Sequence, residues 1–161
     1  MKMNLFRLMF VATVLAFVTL AGASGLRAQD GDHKKRSQDA QKDSASKKAK
    51  FETVAKTDAL YTSAIDAHDK AAAAKMIGKD GAFRGKVAKL YTPRGGNLVI
   101  LNFDDNYKTA LTAVLKKSDF SSFPDLSQLE GKHIVVSGTF VDFKGNPEIE
   151  LTDPKQIAIV K

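Results

Sequence analysis

The chain has no cysteine. That excludes disulfides, thiolate metal sites, a cysteine nucleophile and a lipid anchor on cysteine. It leaves the compartment open, because a cysteine-free chain suits oxidising and reducing spaces alike. Histidine is scarce too. His33, His68 and His133 stand far apart, and no G-x-S-x-G, H-E-x-x-H or P-loop pattern occurs. No catalytic residue, metal or cofactor is therefore assigned, and a non-catalytic protein is expected. His133 beside Lys132 reads as a solvent-facing strand residue. Asp104-Asp105-Asn106 lacks the ligand spacing and closing glutamate of a calcium loop and reads as a turn.

Acidic residues are missing from positions 1–29, which hold Lys2, Arg7 and Arg27. Leu8 to Leu20 is an uncharged apolar run, and Ala21-Gly22-Ala23 and Leu26-Arg27-Ala28 are small-residue cleavage patterns. A basic start, a short apolar run and small residues predict a cleaved signal peptide over 1–28. The run is short for a spanning helix, which needs about 20 apolar residues. The expected location is periplasmic or secreted, with no stable membrane insertion after cleavage.

The formal net charge is +7, but it is unevenly spread. Residues 30–50 carry seven basic and four acidic side chains, whereas 51–161 carry fifteen and fourteen. A folded part this close to neutral offers a partner a local patch, not a global field. Asp30 to Lys50 has no large apolar residue. Its composition predicts a disordered basic linker over 29–50. Residues 51–65 predict a weakly ordered lead-in.

Asp66 to Asp69 has the residue types of a helix start, and Lys70 to Ile77 has high helix propensity. A short helix is expected at about 67–77, closed by Gly78. Strand patterns follow at 83–91, 98–103 and 109–115. Ser118 to Glu130 predicts short helical turns, with Phe120 and Phe123 anchored under the sheet. Gly131 to Val160 then alternates as a long strand, a turn at Lys144-Gly145-Asn146-Pro147 and a second strand. In that reading Pro147 opens an edge strand.

The order of three strands, a helical insert and two strands is that of the OB-fold, and short motifs agree. Gly78-Lys79 with Phe83-Arg84-Gly85-Lys86-Val87, Leu101-Asn102-Phe103, Gly131-Lys132-His133-Ile134 and Gly145-Asn146-Pro147-Glu148-Ile149 with Asp153-Pro154 occur in sequence. Over roughly 65–161 the chain resembles bacterial exported OB-fold proteins, found singly or beside secreted nucleases. The resemblance implies a mainly β domain at 66–161. Its form would be a five-stranded Greek-key barrel, with a short helix before strand 1 and a helical insert between strands 3 and 4. The nucleases' arginine–acid constellation is not matched here, so no nuclease site is carried over.

Such barrels bind nucleic acids, sugars and proteins. A nucleic-acid face needs cations for phosphates and aromatic rings for bases. Arg84, Lys86, Lys89, Tyr91, Arg94, Tyr107 and Lys108 form the candidate set. The leading expectation is single-stranded nucleic acid. The alternative is an envelope protein or oligosaccharide, because the domain charge is near neutral and free nucleic acid is not an obvious partner outside the cytoplasm; outward charges and rim tyrosines also occur on barrels with no binding role. Phe143 reads as a lid on the barrel end, and Glu148 and Glu150 as partners of lysines across the hairpin.

Overall fold

The computed structural model describes residues 39–161. The expected signal peptide and the first part of the linker lie outside the described residues. Alternating burial sets the faces of the strands. In β3 (Asp80–Lys86) Phe83 is buried, while Arg84 and Lys86 lie in the outward phase. The strand expected over 83–91 is interrupted at Val87 and Ala88 and resumes as β4 (Lys89–Tyr91). Gly85 sits at this corner. A Cβ there would lie 2.8 Å from both the Ala67 Cβ and the Phe103 ring. Only a residue without a side chain lets those two segments close over the strand. Both amides at the break stay paired. The Val87 amide donates to the Lys132 carbonyl at 2.9 Å and the Ala88 amide to the Asn102 carbonyl at 2.8 Å.

The other strands are β5 (Leu98–Asn102), β6 (Thr112–Lys116), β7 (His133–Phe143), β8 (Asn146–Leu151) and β9 (Ile157–Val160). β3 runs antiparallel to β7, and β7 antiparallel to β8. β8 lies parallel to β6, β6 antiparallel to β5, and β5 antiparallel to β4. The circuit leaves from β3 and returns at β4, only two residues further along the chain, so the sheet curls around an interior. Phe83, Leu101, Leu115, Ile134, Phe140, Ile149 and Leu151 fill it. Phe83 meets Phe103 edge-on at 4.9 Å. The protein is mainly β, with a few short helices.

The hairpin has a two-residue turn. Lys144 and Gly145 both take positive φ, 54° and 82°, and the Asp142 carboxylate accepts from the Gly145 amide at 2.9 Å. β8 is not an edge strand, contrary to the reading of Pro147. It lies between β7 and β6, and Pro147 is tolerated because its pairing with β6 begins only at Glu148. The insert forms 3-10 helices at Lys117–Ser122 and Leu126–Leu129, with Phe120, Phe123, Leu126 and Leu129 buried.

The N-terminal part is better ordered than its composition predicts. The helix through residues 39–44 (α1) buries Gln41 against the insert. The Gln41 side chain donates to the Pro124 carbonyl and accepts from the Leu126 amide, both at 3.0 Å. The Ser46 amide donates to the Phe123 carbonyl at 2.9 Å. Polar pairing holds this stretch, a signal that counting apolar residues misses. β1 (Glu52–Val54) adds in parallel to β9, α2 (Ala59–Ser63) follows, and β2 (Ile65–Asp66) adds in parallel to β3. Val54 and Ala64 cover Val135 and Ala158 on the outer side of the sheet, with Tyr61 and Val160 alongside. α3 (Lys70–Ala74) is shorter than the expected helix, because Asp69 rather than Asp66 is its cap and accepts from the Ala72 amide. The helix ends at Ala74 with Lys75 as its C-cap, so Gly78 does not close it as expected; it takes φ 79° three residues beyond that cap. Among the described residues no helix is long and apolar enough to cross a membrane.

Candidate functional site

Strand register places the outward side chains of β4, β5, β6 and β8 in rows. One row is Lys89, Asn102, Thr112 and Glu148; the next is Tyr91, Ile100, Val114 and Glu150. The row between them on the inner side is Leu90, Leu101, Ala113 and Ile149, all buried. Tyr91 is 44% exposed on the β4 side of this surface. Arg94 is exposed in the turn beyond it.

The loop 104–109 stands at the other end of β4 and is tied down from three sides. The Lys89 ammonium donates to the Asp105 carbonyl at 2.9 Å. The Lys70 ammonium donates to the Lys108 carbonyl at 2.8 Å. The His68 ring lies between the carboxylates of Asp66 and Asp104, at 3.2 Å from each. Inside the loop, the Asp104 carboxylate accepts from the Asn106 amide and the Asn106 side chain from the Lys108 amide. This loop holds Tyr107 out into solvent at 59% exposure, with the Lys108 ammonium 5.8 Å from its ring centre. Lys89 and Tyr91 therefore share one face of β4, the loop bearing Tyr107 and Lys108 is tied to the Lys89 end, and Arg94 lies in the turn beyond the Tyr91 end.

Two expected members differ. Arg84 is taken up by the fold. Its guanidinium donates to the carbonyls of Tyr61, at 2.9 Å, and Ala64, and lies 4.8 Å from the centre of the Tyr61 ring. It clamps the lead-in and is not displayed to a ligand. The sequence shows the outward phase of Arg84 but not the segment that covers it. Lys86 is exposed opposite His133, across the strand break from Lys89.

Other residues take roles that the sequence reading missed. Phe143 is not a lid: it is 55% exposed, with the Lys144 ammonium 5.3 Å from its ring centre. Its outward phase follows from its place directly before the turn. Lys70 and His68 become loop anchors only because tertiary structure brings residues 104–109 to the start of α3. Glu150 pairs with Lys116 of β6 at 2.8 Å, and not with a lysine across the hairpin. Among the described residues no group of three or more His, Cys, Asp or Glu is placed to hold a metal ion.

The carboxylates divide by environment. The His68 amide lowers the pKa of Asp66, and the Asn106 amide lowers that of Asp104. Glu148 is different. Burial raises its pKa above the usual 4.5, against a 3.3 Å hydrogen bond from the Thr112 hydroxyl. The ionised form thus opposes folding. That penalty is full above the folded-state pKa and disappears as the pH falls below the ordinary value. Glu148→Gln keeps an acceptor for Thr112 and removes the charge. It is expected to raise the Tm by about 3 °C at neutral pH. Thermal melts across pH check this: the gap between variant and wild type closes in acid.

No protein-family model matches the chain, and no curated protein does. Among solved structures it is similar to an aspartyl-tRNA synthetase from Entamoeba histolytica, at 16% identity over 69% of this chain, with a TM-score of 0.45. It spans 25% of that synthetase chain. It is also similar to an OBody bound to hen egg-white lysozyme, at 23% identity over 53% of this chain and 81% of that chain, with a TM-score of 0.37.

Proposed function

We propose that this chain is an exported, non-catalytic binding module on an OB-type barrel, and that its ligand is single-stranded nucleic acid. Support for the barrel comes from the strand circuit, above all the parallel pairing of β6 with β8 between antiparallel neighbours. Support for export comes from the basic start and apolar run of residues 1–28.

The observation that carries the ligand assignment is the tie between Lys89 and the Asp105 carbonyl. It joins the strand bearing Tyr91 to the loop bearing Tyr107 and Lys108. Both rings are exposed, and this tie supports reading them as parts of one surface. Bases stack on the rings and phosphates meet Lys89, Arg94 and Lys108, a pairing of contacts that tolerates any base sequence. Titration of the purified chain with a labelled oligodeoxythymidylate checks this. With roughly three phosphates neutralised, the logarithm of the affinity falls with the logarithm of salt at a slope of about −2. Absence of binding at low salt overturns the assignment. Capture of an oligosaccharide or envelope protein unaffected by added single strands would replace it.

A further inference from the structure

The basic, aromatic side does not stop at loop 104–109. The Lys70 ammonium that donates to the Lys108 carbonyl also donates to the Asn146 side-chain oxygen at 2.5 Å. One cation thus ties loop 104–109 to the β7–β8 hairpin. Each of these two tips carries the same pair: an exposed ring followed by a lysine over it, Tyr107 with Lys108 and Phe143 with Lys144. We propose that the two pairs, joined at Lys70, form a second seat for the same single strand, in which Tyr107 and Phe143 each take a base and Lys108 and Lys144 take phosphates. This rests on the nucleic-acid reading above and extends the strand's path from the β4 side across the end of the barrel.

Three features favour a nucleic acid over an apolar partner here. The first is charge: Lys108 and Lys144 stand at the two tips that Lys70 joins, while two of the nearby acids are engaged within the protein, Asp104 with His68 and the Asn106 amide and Asp142 with the Gly145 amide. The second is exposure. Two large rings stand more than half exposed at neighbouring tips, and neither belongs to the buried clusters. The third is the turn itself. Lys144 adopts φ 54°, a conformation that Asn, Asp or Gly takes at lower cost. A lysine held there keeps its ammonium beside the Phe143 ring, where stability alone favours asparagine.

The test uses the purified chain, a double variant Phe143→Ser with Lys144→Asn, and Tyr91→Ser. Asparagine suits the left-handed turn position, so the hairpin keeps its geometry. The probes are an oligodeoxythymidylate of about 16 nucleotides, the upper site size of such a barrel, and inorganic polyphosphate of matched charge. The double variant is expected to bind the oligonucleotide about tenfold more weakly, the loss of one stacked base and one phosphate contact. Its loss on polyphosphate is expected to be smaller, because no base is there to stack. Oligonucleotide binding unchanged in the double variant but weakened in Tyr91→Ser overturns the second seat and leaves the proposed function standing. Equal losses on both probes overturn the stacking role of Phe143. No binding by the wild type overturns the proposed function, and the seat with it.

Discussion

Gly138→Val is expected to cost about 4 kcal/mol, combining backbone strain with overpacking. Gly138 lies within β7 at φ 152°, opposite Gly81 of β3. A Cβ there would stand 2.6 Å from the Gln156 side-chain nitrogen and 2.9 Å from an Ile149 methyl. Neither neighbour is free to retreat. Ile149 is fully buried in the core. The Gln156 amide nitrogen donates to the carbonyls of Ser137 and Glu150, at 3.0 and 3.1 Å, and its oxygen accepts from the amides of Thr152 and Asp153. This one side chain pins the link between β8 and β9 onto β7. A valine must displace it and release several backbone partners together. Thermal denaturation should show a Tm lower by about 10 °C or more. A change of only a degree or two would mean that the chain re-routes around the bulge without loss.

Arg84→Ala is expected to destabilise the protein by about 2–3 kcal/mol, the scale of charge-assisted hydrogen bonds together with a ring contact. Its effect on single-strand affinity is expected to be less than about twofold, because its guanidinium faces Tyr61 and Ala64. Amide hydrogen exchange is expected to rise in residues 59–66, where α2 and β2 lose their clamp. Arg84→Lys is not expected to rescue the loss. An ammonium has no planar fork to serve two carbonyls while stacking on a ring. Weakened binding with unchanged stability would return Arg84 to the ligand surface.

These two residues show how much was legible beforehand. Period-two alternation around Phe83, Ile134 and Ile149 marked the inner rows, because a strand's side chains alternate whatever its partner, and the nearly continuous apolar run at 98–103 marked a buried strand. The turn at Lys144-Gly145 was legible for a similar reason: positive φ favours few residue types. The outward phase of Arg84 was legible too, but its use was not. Outward means only away from the core, and β1, α2 and β2 form a further layer there. The ordering of residues 39–50 was missed because Gln41 works through two hydrogen bonds to a segment more than 80 residues away. Hydropathy contains no trace of such a pairing.

The sequence by itself determined the mainly β character, the inner face of the long strands and the turn at Lys144-Gly145. These depend on local geometry and on short-range periodicity. The sequence did not mark β1, β2 or β9, nor the break between β3 and β4. Only the tertiary structure decided which outward residues meet. Curling the sheet brought residues 68–70 to loop 104–109 and to the hairpin, and so set Tyr107 and Phe143 at neighbouring tips. It also engaged the Arg84 guanidinium with the Tyr61 and Ala64 carbonyls. The reason is that a binding surface depends on the relative placement of segments distant in sequence, and strand pairing, not local propensity, sets that placement.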